Sequence, residues 1–129
     1  MTDDAKDVLK ITLLPVFLGN NNTSRRLASK LFYKTGRSAL ICDKRRCALD
    51  LFAMSYSFYP LYKSDDDTLL LEQLLMFAQK HSELTLLLIP STEEYSAAVD
   101  RLAAQLEARF IIKDTENLLI SQPVADMMS

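Results

Sequence analysis

Three consecutive asparagines, Asn20-Asn21-Asn22, follow Gly19 directly, with Arg25 and Arg26 a few residues on. Before Gly19 runs an apolar stretch, Leu13-Leu14-Pro15-Val16-Phe17-Leu18, and the amphipathic segment after the asparagines stops at Gly36. Strand, glycine turn, polar loop and helix together leave backbone N–H groups free at a helix N-terminus, where an anion is favoured. In parallel α/β folds the first βα loop is a common ligand position. The chemistry such a loop offers is binding: a carboxylate or another polar substrate reaching the asparagine amides. The same asparagines also suit plain capping and turning of the chain. There are only two glycines, against about nine at average usage. A dinucleotide fingerprint needs two more near Gly19, and the lysine and glycines of a P-loop are missing. A diphosphate pressed against this backbone is therefore not expected.

A second polar block, Ser91-Thr92-Glu93-Glu94-Tyr95, follows the most hydrophobic run, Leu84 to Ile89, and Pro90. With right-handed crossovers its loop opens at the same sheet edge as the Gly19 loop. If the first and fourth strands are neighbours, the two loops flank the point where strand order reverses. Glu93 is then placed to take an amine or hydroxyl, whereas Ser91 and Glu94 better fit ordinary N-capping. The candidate substrate-binding residues are Gly19, Asn20, Asn21, Asn22, Ser91, Thr92, Glu93 and Tyr95. No catalytic residue and no metal ligand is assigned. His81, the one histidine, sits at a helix end with no nucleophile pattern around it. Cys42 and Cys47 lack the second ligand pair of a zinc site and read as free thiols. Arg25-Arg26 and Lys44-Arg45-Arg46 read as solvated faces.

These loops must be held by regular elements. Pro15 suits the start or edge of a strand, so strand one is placed at Val16–Leu18, with an earlier start left open because Val8–Leu14 is also apolar and could extend it. Asn22 or Thr23 caps a helix whose stripe is Leu27, Ala28, Leu31 and Phe32, and Gly36 ends it. Ser38–Cys42 reads as a buried strand with Asp43 just past its end, Ala48–Met54 as a short helix, and Phe58–Tyr62 as a third strand. Asp65-Asp66-Asp67 opens a helix, as carboxylates favour that end, with Leu70, Leu71, Leu74, Leu75 and Ala78 on its apolar face. Leu84–Ile89 fits a central strand covered on both faces. Val99, Leu102, Ala103 and Leu106 carry the stripe of the next helix, Phe110–Ile112 is a last strand, and Thr115 caps a final turn through Leu119. This alternation is that of a layered α/β domain with a mostly parallel sheet of four to five strands.

The 129 residues suit one domain. About half are hydrophobic and a quarter charged, as in soluble globular proteins. The net charge of −2 gives no electrostatic case for nucleic acid. No apolar run is long enough to span a bilayer, and the acidic start, Met1-Thr2-Asp3-Asp4, is not a secretory signal. A cytoplasmic protein is expected.

The ordered set of blocks resembles the N-terminal pre-ATP-grasp domain of bacterial ATP-grasp carboxylate–amine ligases. Leu14-Pro15-Val16-Phe17-Leu18-Gly19, the asparagine loop, Arg26 and Gly36 match its opening. Leu88-Ile89-Pro90-Ser91-Thr92-Glu93-Glu94-Tyr95 resembles its L-[IV]-P-x-x-D-x-Y block, with Glu93 where the family has aspartate. Asp65-Asp66-Asp67 before a leucine-rich helix matches in position. The resemblance spans roughly Leu13 to Leu119. It implies a Rossmann-like three-layer domain over residues 13–120, after a polar lead-in over 1–12. Residues 121–129 are then a tail at the start of an ATP-grasp region. It further implies that the domain is the substrate-side part of a ligase joining a carboxylate to an amine, inactive by itself. ATP and magnesium are held by the following subdomains, and this chain carries no cofactor of its own. The expected partners are those ATP-grasp subdomains in the same polypeptide, a small carboxylate or amino-acid substrate, and a second copy in a homodimer. Two other readings stand beside this one. One is a stand-alone Rossmann-like binding or regulatory module without catalysis. The other is a dinucleotide-binding domain using Asp43 for a ribose.

Overall fold

The computed structural model describes residues 13–115. The polar lead-in, the final turn expected from Thr115 to Leu119 and the tail therefore lie outside the described residues or run out of them. The elements in chain order are β1 (Leu13–Leu18), α1 (Asn22–Thr35), β2 (Ala39–Asp43), a 3-10 helix (Ala48–Phe52), β3 (Tyr56–Pro60), α2 (Asp67–Lys80), β4 (Thr85–Pro90), α3 (Glu93–Leu106) and β5 (Phe110–Ile112). The five strands form one sheet in the order β3-β2-β1-β4-β5, and every neighbouring pair is parallel. The domain is α/β and Rossmann-like, with three layers.

The pleat divides the central strands between two cores. Val16 and Leu18 of β1 and Leu86 and Leu88 of β4 join Leu70, Leu74, Val99, Leu102 and Leu106 under α2 and α3. Leu13 and Phe17, with Leu87 and Ile89, face the other way onto Leu27, Ala28 and Leu31 of α1. β4 is thus apolar at successive positions because both of its faces are covered, as expected of a central parallel strand. In α3 the buried residues Tyr95, Ala98, Val99, Leu102 and Leu106 recur at helical spacing and make a single stripe.

Several boundaries differ from the sequence reading. β1 starts at Leu13, and Pro15 lies buried within it. β1 pairs with β4 from Leu13 onward but with β2 only from Val16, so Pro15 precedes the stretch bonded on both sides. β3 begins at Tyr56 rather than Phe58 and ends at Pro60, where the missing N–H is tolerated at an edge strand. The α1 cap is Asn21: its side chain accepts the N–H of Ser24, and the Ser24 hydroxyl accepts that of Asn21, a reciprocal capping box. Thr92, not Ser91, caps α3 by accepting the Tyr95 N–H. Phe32 is half-buried. Gly36 ends α1 in the left-handed region (φ 74°), its N–H bonded to the Phe32 carbonyl, as read from the sequence.

Candidate functional site

The C-terminal ends of the strands carry the polar residues, and two aspartates organise them. β2 delivers Asp43 to the sheet edge. One carboxylate oxygen, Oδ2, accepts the backbone N–H of Asn20 at 2.7 Å, and Oδ1 accepts that of Lys44 at 2.7 Å and the Tyr95 hydroxyl at 3.0 Å. The Tyr95 hydroxyl also lies 2.6 Å from Ser64 Oγ. A carboxylate only accepts, so Tyr95 donates to Asp43 and Ser64 donates to Tyr95. Burial, above all, together with the Asp43 charge pushes the Tyr95 phenol well above its ordinary range, although the Ser64 hydrogen bond pulls the other way. It therefore stays a neutral donor. Ser64 is turned inward from a tight bend in which Lys63 takes a left-handed φ of 46°.

Asp50, in the 3-10 helix, ties the neighbouring crossover to the Gly19 loop. It accepts the Tyr56 hydroxyl on one oxygen, and on the other the Cys47 N–H at 2.7 Å and the Asn20 side-chain amide at 2.9 Å. Burial alone would raise the Asp50 carboxyl. The hydrogen bonds from Tyr56, Cys47 and Asn20, with the nearby Arg25 charge, outweigh it and hold the carboxyl below the ordinary carboxylate range.

Between these loops and the two helices on one face lies an open cavity of about 630 Å³. Its wall comes from the end of β2 (Asp43, Lys44), the turn into α2 (Ser64, Asp65, Asp67) and α3 (Thr92, Glu94, Tyr95, Ala97, Ala98, Arg101). Arg101 grips Asp67 with two bonds, Nε to Oδ2 at 2.6 Å and Nη2 to Oδ1 at 2.9 Å. Lys44 Nζ lies 3.9 Å from Asp65. The wall thus holds four carboxylates against two cations, and both cations face an aspartate. Asp43 and Glu94 leave the cavity negative.

β1 and β4 are neighbours, but their loops are packed on each other. Ser91 N–H donates to the Leu18 carbonyl, Ser91 Oγ lies within 2.9–3.0 Å of the Leu18 and Gly19 carbonyls, and the Asn21 amide donates to the Ser91 carbonyl at 2.8 Å. A Cβ on Gly19, whose φ is 112°, would stand 2.6 Å from Ser91 Oγ and 2.9 Å from Thr92 Cγ2. The glycine is needed for this close approach and for its backbone conformation. The side-chain oxygen Oδ1 of Asn20 accepts Arg25 Nη1, and Oδ1 of Asn22 accepts Arg25 Nη2, each at 2.7 Å. Of the residues singled out from the sequence, Thr92 and Tyr95 line the cavity. Gly19, Asn20, Asn21 and Ser91 form the seam beside it, Asn22 holds Arg25, and Glu93 lies exposed in the first turn of α3.

Sequence reasoning missed Ser64, Lys44, Asp65, Asp67, Glu94 and Arg101 as cavity residues. The available signal was Asp43 at a strand end and the carboxylates opening α2. Cys42 is buried, and burial, with Asp43 adding, pushes its thiol far up, so it is no nucleophile. His81 closes α2 at the end opposite Asp67, about 20 Å away at helical rise. Among the described residues, no group of His, Cys, Asp or Glu is arranged to hold a metal ion, and no helix is long and apolar enough to cross a membrane.

The fold and this cavity define a Rossmann-like α/β domain with a polar, acid-rimmed recess at its carboxyl edge. In comparisons with known proteins, no family model, curated protein or solved structure matches the chain.

Proposed function

We propose that this chain is the substrate-side domain of an ATP-dependent carboxylate–amine ligase, and that its carboxyl-edge cavity receives the amine-bearing substrate. The observation that carries the reading is the charge of the recess: among the described residues no cationic side chain stands opposite Asp43 or Glu94, while Tyr95 and Ser64 keep Asp43 oriented at its wall. An ammonium group gains both charge and hydrogen bonds there. The resemblance of the ordered motifs to those of pre-ATP-grasp domains supplies the reaction class. Two features argue against a nucleotide in this domain: the Gly19 loop is packed against Ser91 and Thr92, and a negative cavity repels a triphosphate. ATP and magnesium belong to other subdomains of such a ligase, and this domain binds and orients.

Two assays test the reading. In thermal-shift titrations of the purified chain, amino acids and small diamines raise Tm by several degrees at concentrations well above Kd, whereas NAD and simple carboxylates do not. Stabilisation by NAD without any effect of amines would identify a dinucleotide module instead. The native polypeptide purified from its own cells releases phosphate from ATP only when a carboxylate and an amine are both supplied. Amine binding without that turnover would leave a stand-alone binding module and overturn the ligase reading.

A further inference from the structure

The crossover from β2 to β3 differs from the other connections in the sheet: it has a five-residue 3-10 helix where the others have α-helices of 14 residues. It leaves Leu49, Leu51, Phe52 and Met54 exposed by 62, 68, 84 and 79% within six residues of chain. Large apolar side chains exposed so close together in the chain are a mark of an interaction surface, whereas scattered single ones are not. Two further features surround it. Among the described residues, β3 is an edge strand paired only with β2, so its outer backbone groups are open to another strand. Arg45 and Arg46 are exposed beside it, Arg46 lying 5.4 Å over the Phe58 ring of β3. The one carboxylate of the crossover, Asp50, is already engaged by Tyr56, Cys47 and Asn20.

We infer that this surface docks an extended acidic-apolar protein segment, which adds to β3 as a sixth strand. Backbone bonds to the edge supply affinity and alternate apolar side chains settle on Phe52 and its neighbours. Acidic residues of the segment face Arg45 and Arg46, a charge complementarity notable in a chain whose own net charge is −2. A second copy paired edge to edge about a two-fold axis would bring four of these arginines together, which disfavours it. A lipid surface offers no partner to the free strand edge, whose unpaired groups are costly in an apolar medium.

Fluorescence anisotropy with a labelled peptide alternating glutamate with valine or leucine tests this. The chain binds that peptide and not the counterpart in which lysine replaces glutamate. Phe52→Ser and Arg46→Glu each weaken binding about tenfold, while Met76→Ser, at an exposed position on α2, has no effect. Because Phe52 and Arg46 are exposed, both variants keep the wild-type circular dichroism and Tm. Absence of peptide binding, or equal binding of the lysine peptide, overturns the inference. So does a dimer seen by light scattering and lost in Phe52→Ser, or Phe52-dependent flotation with phosphatidylserine vesicles.

Discussion

The two faces of the sheet are built from the same strands yet are finished differently. On one, α2 and α3 lie side by side, bury a core that includes Phe77, Leu102 and Leu106, and hold the polar recess above it. On the other, α1 covers Phe17, Ile41 and Ile89, and the 3-10 crossover leaves four large apolar side chains in solvent. Crossover length is the cause. A 14-residue helix has enough turns to present a stripe inward and a polar face outward, whereas five residues of 3-10 helix bury no side chain fully. The first face is finished by its own helices and carries the polar recess; the second leaves an apolar cluster and, among the described residues, an edge strand uncovered.

The largest expected effect sharpens this contrast. Leu70→Ala, on α2 and fully buried, should cost about 3–4 kcal/mol, whereas Phe52→Ser on the opposite face should stay within about 0.5 kcal/mol. Urea titrations of both read the difference, and comparable losses would contradict the description of the two faces. Next comes the seam that joins them. Gly19→Ala strains a φ of 112° and drives a Cβ into Ser91 and Thr92, for about 2–3 kcal/mol by the same titrations. Tyr95→Phe leaves the buried Ser64 hydroxyl without its partner and removes one of the three hydrogen bonds that Asp43 accepts, and should cost about 1–2 kcal/mol. It should also weaken amine binding.

The smallest effect is pH-dependent. The folded Asp50 carboxyl lies below its unfolded value, so the stability it contributes is fully present above about pH 4, the unfolded carboxylate value. It is lost as pH falls from there through the lower folded value. Asp50→Asn should flatten that acid limb by up to about 1 kcal/mol, a figure kept small because the group is half-exposed. Tm measured from pH 7 down to pH 3 checks it; an unchanged slope would show that the Asp50 network carries no such linkage.

The sequence made the architecture legible wherever periodicity and burial agreed. The unbroken run at Leu84–Ile89 announced a central strand because both faces of β4 are apolar, and Gly36 announced a helix end because its left-handed φ suits glycine. Pro15 obscured where β1 begins: the strand takes the earlier start left open, at Leu13, because the β2 ladder that would have needed the Pro15 N–H begins one residue later. Asn21 displaced Asn22 as cap because the reciprocal partner is Ser24, a pairing that three successive asparagines disguise. The recess was least legible. It joins residue 43 to residues 64–67 and 92–101, and only the sheet order and the paths of the crossovers bring those together. Its Tyr95–Asp43 link spans 52 residues and follows no local spacing rule.

On the proposed function, the carboxyl-edge recess takes an amine through its uncompensated negative charge. The most direct measurement is calorimetric titration of the chain with a small diamine, beside Glu94→Gln, a variant of an exposed rim residue that leaves the core untouched. The wild-type chain should bind saturably, Glu94→Gln should bind several-fold more weakly, and salt should weaken both. Binding that is absent, or identical in the two proteins and indifferent to salt, would contradict it.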